Sequence, residues 1–196
     1  MFGMAARGET RAQVLATARI LFSRQGYHAT GINQVLAEAD APKGSLYFHF
    51  PGGKEELAAE AVGLGANELG QVIDAVIEDS PDPAAAICTM AELLASRLEA
   101  SDFLDGCPIA TVALDASSDS AAVRDACCAG YDQWLTSIAN YLARFGMSVD
   151  TASELALVAL SSLEGALLLA RTQRDATPVR RVADRVATLV SMELTR

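Results

Sequence analysis

The chain has little of what most catalytic and metal sites are built from. Its 196 residues include two histidines, His28 and His49, and four cysteines, Cys88, Cys107, Cys127 and Cys128. The cysteines lack zinc spacing, and two histidines are too few to complete a metal site. Cys127 and Cys128 are adjacent, a poor geometry for bridging each other. All four read as small core residues in a reducing compartment. No stretch alternates apolar and polar residues as a strand would, so no Gly-rich phosphate loop can follow one. His49 belongs to the motif described below and His28 reads as a loop residue, which leaves a nucleophile without a base. An enzyme is not expected, and neither is a metal or a cofactor.

Long hydrophobic runs are missing too. The most apolar stretch, Leu155 to Ala170, is interrupted by Glu164 and falls short of a membrane span. Arginines near the N-terminus precede no apolar segment, so no signal peptide is expected. These features predict a soluble, cytoplasmic protein with no membrane partner. With 51% hydrophobic residues, the chain has material for a sizeable core.

Positive charge is scarce. Lysine and arginine number 15 against 25 aspartates and glutamates, a formal net charge of -10. Taken whole, that balance argues against nucleic acid. Its distribution argues otherwise. Up to residue 54 the basic residues are Arg7, Arg11, Arg19, Arg24, Lys43 and Lys54, against only Glu9, Glu38 and Asp40. The acidic excess lies beyond. Only the N-terminal segment suits contact with a polyanion, and the acidic body would keep non-specific binding weak.

Residues 42 to 54 read Pro-Lys-Gly-Ser-Leu-Tyr-Phe-His-Phe-Pro-Gly-Gly-Lys. The stretch is too polar for a core and too aromatic for an ordinary solvated surface. Lys43 and Lys54 suit phosphates. Gly44 and Ser45 allow close backbone approach. Tyr47 and His49 each pair a ring with a polar tip. Leu46, Phe50 and Phe48 form an inner face. The pattern predicts a helix of about two turns, begun by Pro42, lying against a nucleic-acid backbone and groove.

Upstream, Thr10-Arg11-Ala12-Gln13 fits a capping box that would open a first helix carrying Val14, Ala18, Leu21 and Phe22. Gly26 is its expected stop. Thr30 is the expected cap of a short second helix carrying Ile32, Val35, Leu36 and Ala39. Asp40-Ala41 makes a tight connection, since aspartate tolerates left-handed backbone. Two short helices joined this way form a helix-turn-helix, with the second as the recognition helix.

Residues 10 to 57 resemble the DNA-binding domain of the TetR family of bacterial repressors. The resemblance rests on Ala18 with Leu21-Phe22, Gly26-Tyr27, Thr30-Gly31-Ile32, Ala37, Ala39, and the run Lys43 to Phe50. Three departures stand out. Asp40 replaces a glycine common in the family's turn. Pro42 replaces a serine or threonine, removing one phosphate contact. Pro51-Gly52-Gly53 is one residue longer than the usual link. That longer link, with Gly106-Cys107-Pro108-Ile109, resembles the lincomycin-resistance and flavonoid-responsive subgroup.

The remainder reads as helix throughout: about Gly53 to Asp79, Pro83 to Ala100, a short one to Ala116, one starting after Ser118-Asp119-Ser120 and stopping at Gly146, one opened by a capping box at Thr151 to Glu154, and a last one from Thr177. The expectation is an all-α protein of nine helices. Residues 1-55 would form the helix-turn-helix domain and 56-196 a helical ligand-binding and dimerisation domain. The eighth helix is apolar nearly all round and the ninth carries a narrower stripe. Leu160, Leu163, Leu167, Val182, Val186 and Leu189 are the expected homodimer interface.

Taken with the resemblance, this implies a homodimeric, ligand-responsive repressor on a palindromic double-stranded DNA operator. Thr30, Lys43, Tyr47 and Lys54 would hold phosphates, with Gly44, Ser45 and His49 nearest the bases. A small-molecule effector, aromatic and planar if the subgroup resemblance extends to it, would release the DNA. Phe103, Tyr131, Trp134, Tyr141 and Glu164 are the expected lining of its pocket. Tyr131, Trp134 and Tyr141 also fit an ordinary core stripe, and Glu164 an internal ion pair. The competing reading is a helical interaction protein whose basic arm does not read sequence.

Overall fold

The computed structural model describes residues 3-195. They form nine α-helices and, among the described residues, no strand. The helices are α1 (Gly3–Gln25), α2 (Ile32–Glu38), α3 (Leu46–His49), α4 (Gly53–Asp79), α5 (Pro83–Ala100), α6 (Ala110–Ala116), α7 (Ala121–Arg144), α8 (Val149–Gln173) and α9 (Thr177–Leu194). The expected all-α class holds.

Three boundaries differ from expectation. Helix α1 begins seven residues before Thr10. Met4-Ala5-Ala6-Arg7 are good helix formers, and no stop signal separates them from the apolar stripe. Helix α8 begins at Val149, because Ser148 is its cap and accepts a hydrogen bond from the Thr151 amide. Helix α3 is a single turn, and Pro42 lies before it, in a turn closed by the Ser45 amide on the Pro42 carbonyl at 2.9 Å.

The chain divides into two compact units. One runs to Glu68 and takes in Pro108–Tyr131; the other combines Leu69–Cys107 with Asp132–Arg196. In the first unit, Val14, Ala18 and Phe22 of α1, Val35 and Leu36 of α2, Leu46 of α3, and Leu57 and Ala58 of α4 are buried. In α1 they recur at four-residue spacing, so that helix turns one stripe inward. Arg11 holds Glu60 at 2.7 Å and lies 4.7 Å from the centroid of Phe50.

In the second unit, α5, α8 and α9 pack through small residues. Ala91, Ala95, Ala166, Ala170, Ala176 and Ala183 are all buried around Leu98, Leu167 and Val179. Alanine at the contacts lets helix axes approach closely. A second cluster joins Leu142 of α7 to Leu155 and Ala159 of α8 and to Val186 and Val190 of α9. Arg180 of α9 binds both Glu92 and Glu99 of α5, at 2.8 and 3.0 Å. Among the described helices α8 has the length and apolarity to cross a membrane, and only a third of that apolar window is buried within the chain.

The cysteines divide evenly. Cys107 and Cys127 are buried as expected, whereas Cys88 and Cys128 are exposed. Burial pushes the Cys127 thiol up to about 11, which leaves it unreactive.

Candidate nucleic-acid interface

The link between α2 and α3 is set by backbone conformation. Asp40 is left-handed at φ 49°, as expected from its tolerance of that region. Pro42 then starts the turn into α3. From Ala41 to Gly53 the chain carries no acid. Lys43 and Gly44 are exposed, and no atom lies within 4 Å of where a Gly44 side chain would begin. Tyr47 is 72% exposed and Phe48 63%. Leu46 and Phe50 are the buried anchors that fix the turn from beneath. Phe48, expected on the inner face, is on the outside instead. A one-turn helix has room for only two inward positions, and Leu46 and Phe50 occupy them.

The polar atoms of this turn are already partly committed. The Ser45 hydroxyl donates to the Pro42 carbonyl at 2.7 Å. Only its lone pairs remain, so it can accept from a base amino group but has no proton for a phosphate. The Tyr47 ring lies against Gly53, where a side-chain carbon would meet it at 3.3 Å. Gly53 also has φ +71°, a conformation side chains rarely adopt. The longer Pro51-Gly52-Gly53 link thus seats Tyr47 against the start of α4. The Gly52 amide donates to Glu56 at 2.6 Å, which fastens the same junction.

Of the expected phosphate contacts, Thr30 is buried and Lys54 is engaged within the first unit. Thr30 is fully buried, and its hydroxyl donates to the Gly26 carbonyl at 2.7 Å and the Leu21 carbonyl at 3.3 Å. Nor does it cap α2, whose N-cap is Gly31 without a side-chain bond. The reason is the tight link after α1: Gly26 at φ +84° turns the chain back, and Thr30 satisfies the carbonyls that turn exposes. Lys54 lies half-buried with its ammonium 4.4 Å from the centroid of Tyr27. Burial lowers its pKa, and the negative charge of Asp115 works the other way. His28 is likewise held in the first unit: its amide donates to Asp115 at 2.6 Å and its ring contacts Asp119 at 3.2 Å. His49 is half-buried, with its ring edge-on to Phe48 at 5.0 Å.

The residues expected to line an effector pocket fall into different surroundings. Tyr131 is half-buried on α7, one turn before Trp134. In the second unit, Tyr141 packs with Val76 and Ala86, and its hydroxyl reaches the Ser80 carbonyl at 3.5 Å. Phe103 joins the Ala91 and Leu98 cluster, is left-handed at φ +60°, and carries the Arg174 guanidinium 5.5 Å from its centroid. Trp134 is buried, its ring nitrogen beside Gly70. Glu164 is bonded to Cys107, and burial pushes its carboxyl above the usual range.

A helix-turn-helix with a basic, aromatic outer face, joined to a helical body, defines a class of DNA-binding regulators. Residues 14–61 match the bacterial regulatory proteins of the tetR family, and residues 83–185 match the C-terminal domain of LmrA/YxaF-like transcriptional regulators. The chain is 36% identical over 187 residues to the HTH-type transcriptional regulator YxaF of Bacillus subtilis, covering 95% of this chain and 98% of that one. It is also 36% identical over 183 residues to LmrA of the same organism, covering 93% and 97%. A TetR transcriptional regulator from Chloroflexus aurantiacus superposes with a TM-score of 0.82 at 28% identity, over 97% of this chain and 98% of that structure. The chain belongs to the TetR family, in its LmrA/YxaF-like branch. It is a DNA-binding transcription regulator, of a family that is not enzymatic.

Proposed function

We propose that the protein is a cytoplasmic repressor that binds a palindromic operator as a homodimer and leaves it when a small molecule binds. The single observation that carries the DNA-reading part is the acid-free run from Ala41 to Gly53, with Lys43, Gly44 and Tyr47 exposed around the buried anchors Leu46 and Phe50. In this reading the DNA-binding domain extends to about residue 55. Lys43 and Tyr47 hold phosphates. Gly44 lets the backbone approach, and Ser45 and His49 face base edges. Thr30 and Lys54 act from beneath, by fixing the link after α1 and the start of α4. Phe48 joins the reading face, where an apolar ring suits a thymine methyl group.

Release requires an effector that binds more tightly to a conformation with misplaced reading heads. Glu164, an acid kept in an apolar helix, is the residue we assign to its polar contact. A planar aromatic effector fits the branch of the family. The test is selection from random duplexes with the purified protein. A recovered palindrome of two half-sites one helical turn apart supports the reading. Recovery of no sequence, with binding that depends on salt alone, identifies a non-reading basic arm and rejects it.

A further inference from the structure

The turn at α3 displays few groups, and their chemistry is narrow. The His49 amide donates to the Ser45 carbonyl at 3.1 Å and the Phe50 amide to the Leu46 carbonyl at 2.7 Å, so the backbone is helical from Ser45 onward. Successive residues then turn by about 100°. Leu46 and Phe50 are the buried anchors, and Phe48 stands two residues from each. It therefore points away from both, and its ring is 63% exposed. Ser45 lies beside it, three residues earlier and half-buried. The His49 ring meets Phe48 edge-on at 5.0 Å and supports it from one side.

Between Ala41 and Gly53 there is no arginine, asparagine or glutamine. The turn therefore lacks the bidentate arginine contact to guanine and the bidentate amide contact to adenine. In α2, Gln34 donates to Glu38 at 3.0 Å, and the first helix of such a motif crosses the backbone rather than the bases. The foremost side chain of α3 is instead an apolar ring. Next to it the Ser45 hydroxyl gives its proton to the Pro42 carbonyl at 2.7 Å and keeps only lone pairs. The same carbonyl takes the Ser45 amide at 2.9 Å, which fixes the serine from two sides.

We propose that Phe48 and Ser45 determine operator specificity as a pair. Phe48 reads the C5-methyl group of a thymine. Ser45 accepts a hydrogen bond from the amino group of an adenine or cytosine within two base pairs of it. The proposal rests on the DNA-reading function above and names the base edges which that function selects. Three residues of helix rise about 4.5 Å, against about 3.4 Å between stacked base pairs. The two contacts thus fall one or two pairs apart when the turn lies along the groove. Both groups are displayed in the major groove. The O6 of guanine or the O4 of thymine cannot replace the amino group, because it would set lone pairs against the serine's own.

The test starts from the duplex that the full-length protein selects, titrated at one fixed salt concentration. Thymines of each half-site are replaced one at a time by uracil, which removes only the methyl group. One replacement per half-site should raise Kd about fourfold, as expected for one buried methyl group. In Phe48→Ala that replacement should have no further effect, whereas Phe48→Leu, which keeps an apolar contact, should still respond. Adenines and cytosines within two pairs of that thymine are then replaced by purine and 2-pyrimidinone, which lack the amino group. One of these should weaken wild-type binding several-fold, and its identity tells adenine from cytosine. Ser45→Ala should be indifferent to it, and Ser45→Thr, which keeps the acceptor, should respond as wild type does. No uracil-sensitive position, or one that stays sensitive in Phe48→Ala, overturns the role of Phe48 and leaves the protein a DNA reader. No amino-sensitive position, or one that persists in Ser45→Ala, overturns the role of Ser45. A selection that returns no sequence rejects the DNA-reading function itself.

Discussion

The Lys54 ammonium lies over the ring of Tyr27, 4.4 Å from its centroid. This contact joins the first turn of α4 to the link that follows α1. In the proposed reading it makes Lys54 a residue that sets where the reading turn is held. Lys54→Ala should therefore cost on the order of 1 kcal/mol of stability for a lost cation–ring contact, read as a lower melting temperature. Lys43→Ala should leave melting unchanged and flatten the dependence of log K on log salt by about 0.9 per subunit. Calorimetry and operator titration over a salt series separate the two. Equal loss of salt slope in both variants would return Lys54 to the phosphates.

Gly44 and Tyr47 test the face itself. Space around Gly44 is open in the free protein, so Gly44→Ala should fold and melt normally. Its methyl group should nevertheless weaken operator binding, because the backbone must come close to the DNA there. Tyr47→Ala should weaken binding without unfolding the protein, since the ring is mostly outside. Normal operator affinity in both variants would remove this face from the interface.

Thr30 yields the opposite signature. Its hydroxyl serves two carbonyls in a fully buried position. Thr30→Val keeps the shape and removes the donor to the Gly26 carbonyl, the shorter of the two contacts. The expected cost is about 1–3 kcal/mol of stability, read as a lower melting midpoint. The salt slope of operator binding should not change. A reduced slope with normal stability would contradict the buried assignment.

Glu164 predicts a pH dependence of stability. Burial raises its carboxyl pKa, so the folded state holds that proton more tightly than the unfolded chain. Such a group costs stability above its raised pKa. The cost is relieved as pH falls through that value toward the usual carboxylate range. Glu164→Gln keeps an acceptor for the Cys107 thiol and removes the charge. It should melt higher than wild type at neutral pH, with the difference fading on acidification. A difference that grows toward acid pH would reverse the assignment. In the functional reading the same substitution weakens the effector response while operator affinity persists.

Local chemistry determined most of the architecture. Prolines at the starts of α5 and α9, Gly26 and Gly146 after α1 and α7, and the left-handed Asp40 are punctuation that acts over a few residues. Such signals can be read along the chain without knowing what packs on what. The helix-turn-helix was legible for the same reason: its anchors Leu46 and Phe50 and its exposed Lys43 and Tyr47 are neighbours in sequence. What only the tertiary structure decided is which side of each element faces inward. Thr30 looks like a cap until the Leu21 and Gly26 carbonyls are placed beside it. Phe48 looks like core until Leu46 and Phe50 fill the two inward positions of a single turn. Helix α8 is apolar on every side, so its periodicity cannot choose between Leu163 and Leu168. That choice belongs to α5 and α9, whose alanines lie close enough to cover Leu163 and leave Leu168 open.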